Sequence, residues 1–103
     1  MQMHRETQGL HTVYRLKDDQ LGEILGEAVI SESVNEIRLH GIFIEPIHRG
    51  KGYAKTLMET VLSLGENRLI TLCTGFGNVA FFRRFGFEVV DYGESLVSME
   101  RKL

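Results

Sequence analysis

One cysteine, one proline and no long apolar run set the first limits on this 103-residue chain. With Cys73 alone no internal disulfide can form, and a reducing, cytoplasmic compartment is expected. No stretch is long and apolar enough to span a bilayer, and the opening Met1-Gln2-Met3-His4-Arg5-Glu6 is polar. An excess of positive charge is also missing. Twelve Lys and Arg against 14 Asp and Glu give a formal net charge of −2, so nothing global favours nucleic acid. Repeats, linkers and low-complexity segments are absent too. The length suits one domain over residues 1–103, and an apolar content of 43% argues against disorder.

What is present is a succession of short periodic segments. Residues 1–9 read as a loose polar arm. Leu10, Thr12, Tyr14 and Leu16 then alternate with His11, Val13, Arg15 and Lys17, as in a half-buried strand. Asp18-Asp19-Gln20 supplies a turn, and residues 21–30 return as a second strand in which Gly22 and Gly26 mark close approach or a bulge. Ile37 and Leu39 alternate with Arg38 and His40 in a third. At Gly41 the pattern changes to Ile42-Phe43-Ile44, apolar on both faces, which reads as an enclosed half-strand entered through a β-bulge. Pro46 stops the ladder because it has no N–H.

A helix follows over residues 51–64, with Ala54, Leu57, Met58, Val61 and Leu62 as its apolar stripe and Gly65 as a left-handed stop. Residues 69–73 form a buried strand, hence a strand–helix–strand unit and a parallel pair. Thr74 to Gly77 is a flexible loop. Asn78 would cap a short helix to about Phe85, and residues 87–92 and 96–101 close the fold as a hairpin. The expected class is α+β, with a mixed, mostly antiparallel sheet and a central helix.

The chemistry concentrates between residues 42 and 55. Gly50 and Gly52 let a backbone approach something bulky, and the helix behind them begins with unpaired N–H groups and partial positive charge. Arg49, Lys51 and Lys55 crowd that helix start, where carboxylates are normally preferred. An anionic ligand would resolve the conflict; otherwise the cations are solvated on a loop. Lys55 excludes the dinucleotide fingerprint and Gly52 excludes a nucleotide P-loop.

The run Ile44 to Ala54 resembles the acyl-CoA motif of the GNAT superfamily of N-acyltransferases, Arg/Gln-x-x-Gly-x-Gly/Ala, met by Arg49, Gly52 and Ala54. A second block, Ala80-Phe81-Phe82-Arg83-Arg84-Phe85-Gly86-Phe87, falls in the same family order. The resemblance extends from about Leu10 to the C-terminus, in a short form lacking most of the usual N-terminal elements. It implies that acetyl-CoA is the co-substrate, with no metal, and that an amine of a small molecule or protein attacks the thioester directly. Arg49, Gly50, Lys51, Gly52, Tyr53, Ala54 and Lys55 would hold the pyrophosphate. Ile42, Phe43 and Ile44 would pair with the pantetheine, and the N–H near Ile44 would polarise the thioester carbonyl, a contribution of a few kcal/mol.

An alkyl ammonium has a pKa of about 10.4, so a base would help; His40, Glu45 and His48 are the candidates. Phe82 stands where the family usually has the tyrosine that protonates the leaving thiolate, so water, Tyr53 or Tyr92 would have to substitute. Asn78 lies near the position of a pantetheine-contacting asparagine, Arg83 and Arg84 are within reach of a ribose phosphate, and Cys73 is a nucleophile only on a two-step route. The short N-terminus would leave the sheet edge at residues 10–17 open, from which a homodimer is expected. The missing hydroxyl at Phe82 also keeps a second reading open, a catalytically silent acyl-CoA-binding regulatory module.

Overall fold

The computed structural model describes residues 1–102. Seven strands, β1 (Gln2–Gln8), β2 (His11–Lys17), β3 (Ile24–Glu32), β4 (Glu36–Ile44), β5 (Leu69–Thr74), β6 (Glu88–Tyr92) and β7 (Val97–Arg101), form one sheet in the order β1-β2-β3-β4-β5-β7-β6. All neighbours are antiparallel except β4 and β5, which run parallel because helix α1 (Tyr53–Leu64) crosses between them. A one-turn helix α2 (Val79–Arg83) connects β5 to β6. The expected α+β class, mixed sheet and central helix are therefore what the chain adopts.

One face of the sheet carries the core. Leu57, Met58 and Val61 of α1 are fully buried against residues such as Leu16, Ile30, Ile37, Ile70 and Leu72. Phe87 and Phe82 close the same core from the α2 side, their rings edge-on at 5.8 Å. The opposite face is polar. There Arg15 pairs with Glu6 and Glu27, Thr71 donates to Glu36, and Arg38 donates to Cys73. Alternation along each strand produces this asymmetry, as it does in open antiparallel sheets.

Several local expectations are corrected. Residues 2–8 are no loose arm: they pair along the whole of β2, Gln2 with Lys17 through Gln8 with His11. The edge at residues 10–17 is consequently covered, which removes the argument on which a homodimer was expected. Strand β3 begins at Ile24 rather than Leu21, because Asp18 organises a longer turn by accepting from the N–H groups of Gln20 and Leu21. Helix α1 starts two residues later than expected, behind a left-handed Gly52. Gly65 ends it with φ −97°, not in the left-handed region; a Cβ there would collide with Ile70. Helix α2 stops at Arg83, and the Asn78 side chain makes no cap, donating instead to Thr74 Oγ1 at 3.1 Å.

Gly26 is where β3 passes closest to the rest. A Cβ would sit 2.6 Å from the end of Ile44, 3.0 Å from the Phe43 carbonyl oxygen and 3.2 Å from Leu57. Gly26→Ala is expected to destabilise the fold by roughly 1–3 kcal/mol through overpacking. Urea unfolding checks this: the midpoint should fall with the slope unchanged.

Candidate active site

The β4–β5 ladder is short. Glu36 to Leu39 pair with Leu69 to Leu72, and no pairing continues beyond that point. On its other side β4 is irregular in the same place, since Val29 faces Gly41 while Ile30 faces Leu39, leaving His40 as the extra residue of a bulge. The two strands thus separate just where β4 is re-aimed. Past Leu39 the edge of β4 that faces β5 has no strand partner.

A cavity of about 350 Å³ fills the gap. Its walls come from both faces of the sheet: Leu39, Leu72, Phe82 and Ala54 from the core side, His40 and Cys73 from the polar side. A second cavity of about 630 Å³ continues from it, sharing Ile42, Phe43, Ile44, Ala54 and Phe81, and runs to the start of α1. The expected enclosure of residues 42–44 does not occur. Phe43 is 61% exposed, with its ring folded over Gly41, where a Cβ would meet it at 2.6 Å. The half-strand is apolar because it lines an open cleft.

At the far end the loop is shaped by its glycines. Gly50 and Gly52 have φ of +79° and +83°, and nothing lies within 4 Å of a Cβ built on either. Glycine is needed here for backbone conformation, so a bulky residue at 52 would strain the loop as well as obstruct it. Helix α1 has no side-chain cap and no acidic residue in its first turn. Arg49, Lys55 and Arg84 line this end, and among the described residues none of them has a carboxylate partner. Free helix N–H groups and three unpaired cations converge on one space, which suits a multiply charged anion.

The other sequence candidates divide. Arg49 lines the cleft and its Nε donates to the Ile44 carbonyl at 3.3 Å. Gly50, Gly52, Tyr53, Ala54 and Lys55 line the helix end, while exposed Lys51 and Glu45 line neither cavity. Asn78 and Phe82 line the gap. Arg84 faces the cleft but Arg83 lies on another surface, with Tyr92. Tyr92 stacks on Phe76 and Tyr53 sits at the helix end, so neither hydroxyl is placed beside His40. His48 is buried, its Nε2 3.0 Å from Glu23, and lines the helix-end cavity rather than the gap.

Two titratable groups in the gap are perturbed. Although His40 is exposed at the surface, partial desolvation, reinforced by His11 and Arg38, lowers its imidazole pKa below the ordinary value, so the neutral form prevails at neutral pH. Its Nε2 lies 2.8 Å from Ser31 Oγ and its ring packs edge-on against His11 at 4.5 Å. The Cys73 thiol is lowered by the Ser98 hydroxyl, with the Arg38 guanidinium at 3.1 Å adding to the effect. Neither Arg38 nor Ser98 could be tied to Cys73 from the sequence, since the three meet only across β4, β5 and β7.

The sequence matches the family description "Acetyltransferase (GNAT) domain" over residues 9–89. The chain belongs to the GNAT acetyltransferase family. Among solved structures, a GNAT family acetyltransferase from Elizabethkingia anophelis with acetyl-CoA bound superposes with a TM-score of 0.83 at 14% identity, covering 99% of this chain and 97% of that one. An acetyltransferase from Bacillus cereus gives 0.81 at 18% identity, covering 90% and 73%. The PaiA N-acetyltransferase from Thermoplasma acidophilum, in complex with coenzyme A, gives 0.74 at 21%, covering 90% and 61%. No curated protein matches the sequence. Membership sets the general chemistry as acetyl transfer from an acyl-CoA.

The lowered thiol gives a direct check on the gap's electrostatics. Alkylation of Cys73 by iodoacetamide should rise with pH around a midpoint below that of the unfolded chain's thiol. Arg38→Leu is expected to move that midpoint upward, and an unmoved midpoint would show that the guanidinium does not act on the sulfur.

Proposed function

We propose that the chain is an N-acetyltransferase that moves an acetyl group from acetyl-CoA to an amine by direct attack. The observation that carries this is the continuity of the cleft, from an anion-binding helix start, along an unpaired strand edge, to a neutral imidazole. The pyrophosphate would lie on the N–H groups at the start of α1, among Arg49, Lys55 and Arg84. The pantetheine amides would add to the free edge of β4 as an extra strand does. This puts the thioester in the gap between Ile44 and His40, with Asn78 and Phe82 beside it.

His40 serves as the base. Nε2 lies 2.8 Å from Ser31 Oγ, and in the tautomer that donates to this oxygen Nδ1 keeps the lone pair that would take a proton from the attacking amine. The amine nitrogen bonds to the carbonyl carbon, the thiolate leaves, and a proton from solvent restores the thiol. No tyrosine hydroxyl is needed, because a thiolate with a conjugate-acid pKa of about 8.5 leaves tolerably near neutrality. The reducing cytoplasm suits an exposed thiol such as Cys73. A silent acyl-CoA-binding module is favoured instead by one feature, the buried Phe82 ring in place of a proton donor. Release of free CoA in the presence of amines separates the two.

Two outcomes follow. Lys55→Ala and Arg84→Ala should each weaken acetyl-CoA binding by roughly three- to tenfold in calorimetry, and added salt should shrink the difference. Equal affinities at low salt would remove the phosphates from this end. For catalysis, kcat/KM should show an inflection below the ordinary imidazole pKa near 6.5, superposed on the amine's own titration. The groups facing His40 are His11 from β2, Ser31 from β3 and Arg38 on its own strand, with Cys73 in the same cavity. His40→Ala should abolish that inflection and lower kcat by about 10²–10⁴-fold; an unchanged profile would exclude His40 as the base.

A further inference from the structure

The loop over residues 46–52 forms the anion end of the cleft, yet little holds it to the rest of the protein. The last backbone bond before it runs from the Glu45 N–H to the Leu25 carbonyl at 3.3 Å. Within the loop the bonds are local: His48 N–H to Glu45, Arg49 N–H to Pro46, and the Arg49 side chain to Ile44. Of these residues only His48 is buried, at 8% exposure, while the neighbouring Ile47 is 72% exposed. A polar ring is turned inward and an apolar chain outward, the reverse of the usual preference. The ring's Nε2 lies 3.0 Å from Glu23 Oε1, and its Nδ1 is enclosed with no partner. Among the described residues this is the only hydrogen bond from the loop to a segment that does not adjoin it in sequence. We infer that Glu23 is a positioning residue for acetyl-CoA: acting through His48, it holds residues 46–52 in the shape that receives the phosphates.

Glu23 is itself firmly placed. Its carbonyl accepts from the Asp18 N–H at 2.9 Å, and the Gly22 N–H donates to the Asp18 carbonyl at 3.1 Å. An ionised carboxylate can only accept, so in this contact Nε2 carries the hydrogen. On its other side the imidazole meets Tyr53, the first residue of α1, edge-on at 6.2 Å. The ring therefore stands between the β2–β3 turn and the helix whose N–H groups face the cleft. Without Glu23, Nε2 would be buried with no acceptor, and the simplest relief is for His48 to swing out with its loop. Gly50 and Gly52 make that movement easy, since glycine permits many other backbone conformations. A ligand would then find the receptive shape only part of the time, and its apparent affinity would fall by that fraction.

This inference rests on the acetyl-CoA reading of the cleft, but the tether can also be read with no ligand present. Glu23 lines neither cavity, so replacing it removes no ligand contact, and its side chain is 45% exposed, so truncation opens no core void. His48→Ala would open one and is avoided. The full chain is compared with its Glu23→Ala and Glu23→Gln variants. The amide resonances of Gly50 and Gly52 report the loop, and those of Gly65 and Gly86, beyond the ends of the two helices, report the fold. Glu23→Ala should shift and broaden the first pair, leave the second pair in place, and weaken acetyl-CoA at least fivefold in calorimetry. Glu23→Gln, whose amide oxygen can accept the same hydrogen, should stay within twofold of the unaltered chain. In turnover the loss should fall on the KM for acetyl-CoA with kcat unchanged, a split that a general loosening of the structure would not give. The inference is overturned if Glu23→Ala leaves Gly50 and Gly52 unmoved, if it binds acetyl-CoA as tightly as the unaltered chain, or if all four glycines move alike. Failure of the unaltered chain to bind acetyl-CoA would strike the acetyl-CoA reading alone, since the glycine resonances still decide whether Glu23 holds the loop.

Discussion

The whole cleft depends on β4 and β5 ceasing to pair after Leu39 and Leu72. A strand edge with unpartnered N–H and C=O groups in an open cleft must be satisfied by water or by a ligand. Here the edge is kept open by two features of β4 itself. The bulge at His40 changes the strand's direction, and Pro46 at the end of the segment prevents the ladder from resuming. Arg49 satisfies one of these groups by donating to the Ile44 carbonyl. The remaining free edge is a template for a ligand with amides of its own.

The electrostatics of the two ends differ in kind, and the difference follows from how each is built. At the start of α1, charge is collected: backbone N–H groups, the helix dipole and three cations without partners face one space. At His40 charge is disfavoured, because desolvation, with His11 and the Arg38 guanidinium beside the ring, lowers the imidazole's pKa. In the proposed reading a polyanionic handle is held at one end and His40 accepts a proton at the other. The apolar Ile42-Phe43-Ile44 segment connects them, and its partial exposure makes sense as contact surface for a ligand.

The added strand β1 matters for the opposite face. It covers the edge of β2 and supplies Glu6, whose pairing with Arg15 lies on the polar side. Beside the gap a groove bordered by His11, Arg38 and His40 lies on that face.

Much of this was legible in the residues alone. The apolar stripe of α1, the strand–helix–strand unit, the glycines and cations at positions 49–55 and the change of pattern at Gly41 are local features, set by periodicity and by backbone chemistry within a few residues. Those properties act at short range, so the order of symbols suffices to find them. The tertiary structure decided what depends on pairing across the sheet. It turned residues 2–8 from an arm into a strand, because their partners on β2 are met through a register that no short window contains. It gave Phe43 an open cleft instead of an enclosed face, drew Arg84 into the site and left Arg83 out, and brought Ser31, His11 and Arg38 around two reactive groups. The desolvation that lowers the His40 pKa depends on how the folded chain packs around the ring, His11 on β2 among its neighbours, and only the folded chain assembles them.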